Sequence, residues 1–61
     1  MKSFKDIIHD GEKAEREAIN YYTFLLPFIH NGNHHRSILH ILNDEKEHLK
    51  TLQRIKIEMK S

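Results

Sequence analysis

The chain has 61 residues, no cysteine and a formal net charge of +1. A chain this short buries little core by itself, and without cysteine it lacks disulfides, thiolate zinc sites and iron–sulfur clusters. Histidine and carboxylate metal binding, oligomerisation, or both are left as sources of stability.

Charged residues make up 31% of the chain with both signs interspersed, which is neither a nucleic-acid stripe nor a polybasic membrane patch. Hydrophobic residues, at 38%, suit amphipathic helices and fall short of a membrane span. The start, Met1 to Asp6, carries no long apolar stretch and no cleavage pattern, so no signal peptide is expected and a cytoplasmic location is the default. No nucleic-acid or membrane partner is expected.

Ser3 followed by Asp6 has the form of a capping pair, so a first helix is expected from about residue 4 to about residue 30. Phe4, Ile7, Ile8, Ala18, Ile19, Tyr22, Leu25, Leu26 and Ile29 recur at spacings of three and four. Gly11 weakens that helix by about 1 kcal/mol relative to Ala. Pro27 removes the hydrogen bond to the carbonyl of Thr23, and a kink is expected there because Phe28 and Ile29 continue the apolar face.

The one clear punctuation point is His30-Asn31-Gly32-Asn33, whose Asn and Gly suit a turn. With Asn33 as cap, a second helix is expected over about 34–60, carrying Ile38, Ile41, Leu42, Leu49, Leu52, Ile55 and Met59 at helical spacing. Two such helices on a short loop run antiparallel. Their apolar stripes, with pairs such as Ile7/Ile8, Leu25/Leu26 and Ile41/Leu42, are too wide for a bare two-helix seam. The expected fold is therefore an all-α, two-helix hairpin spanning residues 1–61 that homodimerises into a four-helix bundle.

Polar residues interrupt these stripes. Positions 8, 15, 22 and 29 form one heptad row, and Glu15 stands in it among Ile8, Tyr22 and Ile29. On the second helix Glu45 and His48 fill slots where the pattern expects apolar side chains. They form an E-x-x-H motif whose spacing of three sets carboxylate and imidazole side by side, as a transition-metal site requires. Di-iron bundles take one Glu from each of two helices and Glu-x-x-His from each of the other two. One hairpin offers Glu15, Glu45 and His48, so two hairpins offer the complete set. The alternative is that all three face solvent and a slightly rotated stripe packs instead.

The stretch Glu15-Arg16-Glu17-Ala18-Ile19-Asn20-Tyr21-Tyr22-Thr23 resembles the first-helix pattern of rubrerythrins, and Asp44-Glu45-Lys46-Glu47-His48-Leu49 resembles their second-helix signature. The resemblance to the rubrerythrin and ferritin-like family covers roughly residues 8–56. It implies that Glu15, Glu45 and His48 bind metal, with two iron ions per dimer (or other divalent metals such as Mn or Zn), and that Tyr22 lies beside the site and hydrogen-bonds a ligand carboxylate. It also implies oxygen or peroxide chemistry of an oxidase, ferroxidase or peroxidase kind. Family members usually carry four helices in one chain, whereas this sequence matches the first half and has no cysteine-ligated rubredoxin-like module.

Other residues have plainer readings. Glu12 reads first as a solvated charge and second as a rim residue of the Glu15 face. Glu17 and Glu47 read as surface charges. Asp44 either orients His48 or is simply exposed. His30, His34, His35 and His40 read as an exposed loop cluster rather than a zinc or copper site, and His9 as exposed. Three functions remain open on sequence: di-iron redox enzyme, metal-handling protein without turnover, and metal-free helical dimerisation module. A dimer is expected, with further assembly open.

Overall fold

The computed structural model describes residues 1–60; Ser61, the last residue of the expected domain, lies outside them. The described residues are all-helical, with no strand. Helix α1 runs over Phe4–Leu25. Its start is a capping box: the Ser3 hydroxyl accepts from the Asp6 N–H at 3.1 Å, and the Asp6 carboxylate accepts from the Ser3 N–H at 3.3 Å. Two N–H groups that the first turn leaves without helical partners are thereby satisfied.

The expected helix to residue 30, kinked at Pro27, is corrected. The α-helix stops at Leu25, and Leu26–Phe28 form a single 3-10 turn. Proline has no N–H to carry the α-helical ladder forward, so the chain tightens. The Ile29 N–H closes the turn on the Leu26 carbonyl at 3.1 Å, and Ile29 itself is extended.

Helix α2 spans Gly32–Lys60, two residues longer at its start than expected. Asn31, not Asn33, is its cap: the Asn31 Oδ1 accepts from the N–H groups of Asn33 and His34 at 3.0 and 3.1 Å. Asn33 instead accepts from the Arg36 guanidinium at 2.6 Å. No described residue has positive φ, so the turn uses the capping amide of Asn31 rather than left-handed backbone.

Contacts between the helices run in opposite senses: Glu12 meets Lys56, and Glu15 meets His48. The helices are therefore antiparallel, in a rod of 45 × 20 × 13 Å. The radius of gyration is 14.3 Å, against about 10.5 Å for a compact domain of this length. The accessible area is 4924 Å², against about 4,160 Å² for a folded monomer of this mass. Ile8 and Leu42 are the buried apolar side chains among the described residues, and none is completely enclosed. Phe4, Ile7, Ile41 and Met59 stay exposed, as do Tyr21, Phe24 and Phe28 near the turn. No helix among the described residues is long and apolar enough to cross a membrane.

Candidate metal centre

Glu15 sits midway along α1, and Glu45 and His48 sit midway along α2, where the antiparallel helices face each other. The helical spacing of three stacks Glu45 and His48 on adjacent turns of one face. The hairpin then brings Glu15 to them across 30 residues of sequence. His48 Nδ1 lies 3.8 Å from Glu15 Oε1 and 3.8 Å from Glu45 Oε1. One donor atom from each of the three lies within 4.8 Å of the others. At 3.8 Å the two His48 contacts are ion-pair contacts rather than hydrogen bonds, so the imidazole leaves the carboxylate lone pairs free.

The centre is half-closed. The Glu15 and Glu45 side chains are 21% and 22% exposed, whereas His48 is 60% exposed. Glu15 Oε2 is buried and accepts no hydrogen bond. Its carboxyl is pushed above the ordinary carboxylate range, first by a hydrogen bond shared with the Glu45 carboxyl, then by burial and by the Glu45 charge, while His48 acts in the opposite direction. Two oxygens and one imidazole nitrogen form a donor set suited to iron, manganese or zinc. The set leaves positions open to donors from elsewhere.

Tyr22, expected beside the centre, is half-buried and packs edge-to-face on Tyr21, with ring centroids 5.3 Å apart. Among the described residues its hydroxyl makes no hydrogen bond to Glu15 or Glu45. Asp44 is exposed and no bond joins it to His48. Glu17 and Glu47 are exposed, and Glu47 pairs with Lys50 at 3.4 Å. His9, His30, His34 and His40 are exposed and His35 half-buried. Among the described residues, Glu15, Glu45 and His48 form the one cluster of three or more metal-binding side chains, and the loop histidines form none.

Glu12 overturns its first reading. It is buried, at 6% exposure, rather than a solvated charge. Lys56 Nζ lies 3.3 Å from its Oε1, and Arg16 Nη2 lies 3.6 Å from its Oε2. A signal was present in the sequence: position 12 is four after Ile8 and seven before Ile19, on the row that turns toward α2. A scan against protein-family models, a search of curated proteins and a search of solved structures each find no match to this chain.

Proposed function

We propose that two copies of this hairpin pair into a four-helix bundle and bind two metal ions, iron foremost, between Glu15, Glu45 and His48 of both copies. The observation that carries this reading is the convergence of three donors from two helices at mid-length on a half-closed face. The buried Glu15 Oε2 without a hydrogen-bond donor fits it, since a cation satisfies such an oxygen. So does the exposed apolar surface around Ile7 and Ile41, which a second copy would cover.

Iron so held supplies redox chemistry toward oxygen or peroxide, as an oxidase or peroxidase uses it. The chain's own residues do the rest. Glu15 and Glu45 bring negative charge to neutralise the cations, His48 brings a neutral nitrogen donor, and the apolar residues of the paired copy exclude water. Tyr22 shares the Glu15 row, and this reading sets it beside the paired site.

Native mass spectrometry of untagged protein loaded anaerobically with Fe(II) tests the reading. A dimer with two iron atoms, returned to the metal-free mass by Glu45→Ala, is the expected result. A dimer that takes up no metal overturns it. Mixing the Fe(II) form with oxygen or peroxide then separates an enzyme from a metal-handling protein, in which iron is oxidised no faster than in buffer. The open apolar surface equally suits a metal-free dimerisation module. In that case replacing both Glu45 and His48 by Leu stabilises the dimer and leaves its function intact.

A further inference from the structure

The hairpin brings Glu15 to Glu45 and His48 only if its helices adopt one particular rotation about their axes. Apolar contact does not select that rotation well, because hydrophobic burial is non-directional. The stripes here are wide, with adjacent apolar pairs such as Ile7/Ile8 and Ile41/Leu42. Something with direction must choose the rotation.

Glu12 has that property. Among the described residues it is the buried charged one, at 6% exposure, and Lys56 reaches it from the other helix at 3.3 Å. A carboxylate withdrawn from water and parted from its cation is costly, so rotations that separate the two are disfavoured. The position also matters. The short connector ties the helices together on one side of the centre, and the Glu12–Lys56 pair ties them on the other. Glu15 lies one turn from Glu12, toward the connector. Beside the pair, a Cβ on Gly11 would lie 3.2 Å from Leu52 Cδ1, so the helices approach closely here.

We propose that Glu12 and Lys56 are positioning residues: an interhelical lock that holds α1 and α2 in the rotation that assembles Glu15 with Glu45 and His48. The consequence for metal rests on those three residues being the centre, whereas the lock itself does not. Polar pairs of this kind specify a register more than they add stability.

The test uses the full chain and the double variant Glu12→Leu with Lys56→Met, which replaces the pair by apolar side chains. Two readouts are followed. Nuclear Overhauser contacts between the Gly11 α-protons and the Leu52 methyls report the rotation in metal-free protein. Co(II) absorption, standing in for Fe(II), reports the centre. The double variant is expected to stay helical with an undiminished melting temperature, to weaken or split the Gly11–Leu52 contacts, and to bind Co(II) roughly tenfold less tightly. Lys56→Arg, which keeps the cation, is expected to retain both signals. Unchanged contacts and unchanged Co(II) affinity in the double variant overturn the lock. If the double variant does not fold, Glu12→Gln takes its place, with the same two readouts and the same criterion. If the wild-type chain takes up no Co(II), the metal reading fails, and the Gly11–Leu52 contacts alone decide the lock.

Discussion

Glu12 and Glu15 lie one helical turn apart on α1, and both withdraw a carboxyl group from solvent, but they meet opposite company. Glu12 has two cations from its own chain, Lys56 at 3.3 Å and Arg16 at 3.6 Å. Glu15 has a second carboxylate, Glu45, and a histidine at 3.8 Å that is a cation only when protonated. The chain therefore compensates one buried acid internally and leaves its neighbour short of positive charge. A protein that needed only to fold would gain from treating both alike, since adjacent uncompensated carboxyls oppose folding. The asymmetry makes physical sense if the missing charge arrives from outside.

Supplying that charge is the strongest way to test the contrast. A metal bound only by the folded state stabilises it by about 2.7 kcal/mol at a hundredfold excess over Kd, which raises the melting temperature by on the order of 10 °C. Fe(II) or Co(II) under anaerobic conditions is expected to produce such a shift and a chelator to reverse it, with Glu15→Ala abolishing both. Equal melting curves with metal and with chelator would mean that Glu15 is an ordinary helix residue.

The converse is to take the cation away from Glu12. Lys56→Met leaves Glu12 with Arg16 alone. Breaking a fully buried pair costs about 3–5 kcal/mol, but the Lys56 side chain is 31% exposed and Arg16 persists, so about 1–2 kcal/mol is expected. Urea denaturation of the metal-free protein measures it as a lower midpoint. The loss should largely vanish when Glu12→Leu is added, because the stranded charge is then gone. Additive losses from the two substitutions would show that Glu12 and Lys56 do not act as a pair.

These two carboxylates also mark what the sequence could convey. The all-helical class, the single turn and the Ser3/Asp6 cap are local patterns, and each is set by residues within four positions of one another. Glu45 and His48 are legible for the same reason. Glu15 is legible because it interrupts a heptad row of apolar residues. Glu12 was open to misreading because the closer of its two cations, Lys56, lies on the other helix, and a Glu among charged neighbours looks solvated until α2 is in place. The turn was ambiguous for a different reason. Asn31 and Asn33 flank Gly32 and are equally good caps by composition, and only backbone geometry separates them. The early end of α1 follows from Pro27, whose effect on the ladder is certain but whose outcome, kink or stop, depends on what the chain does next.

A smaller effect sharpens the contrast through pH. The Glu15 pKa is raised in the folded protein, chiefly by the Glu45 carboxyl. Between the ordinary carboxylate value and that raised value, the folded state holds a proton that the unfolded chain has released. Stability of the metal-free protein therefore falls as pH rises through this window and stays at the lower level above it. Glu15→Gln removes that group's titration. It is expected to flatten the decline and to raise the urea midpoint at neutral pH, by less than the Lys56→Met loss because the Glu15 side chain remains 21% exposed. Parallel curves for wild type and variant as pH rises from the ordinary carboxylate range would contradict the assignment.

The smallest expected effect concerns the backbone that carries both acids. Gly11 lies one turn before Glu15, and glycine at a helix interior costs about 1 kcal/mol relative to alanine. Gly11→Ala recovers that amount, but the new methyl meets Leu52 Cδ1 at 3.2 Å, too close to be accepted without a shift. The opposing atom is the end of a leucine side chain, which can yield by a few tenths of an ångström more easily than backbone can, so the packing cost is at the low end of the usual 1–3 kcal/mol. The two terms nearly cancel, and a net change within about 1 kcal/mol of zero is expected in thermal melting. Gly11→Val has no such compensation. Its branched side chain must push the helices apart, and Glu12–Lys56 should open along with the approach of Glu15 to α2. If alanine instead raises the midpoint by the full helix-propensity gain and valine is tolerated as well, the helices are not held close at Gly11, and the contrast between Glu12 and Glu15 would have to arise without close packing between them and α2.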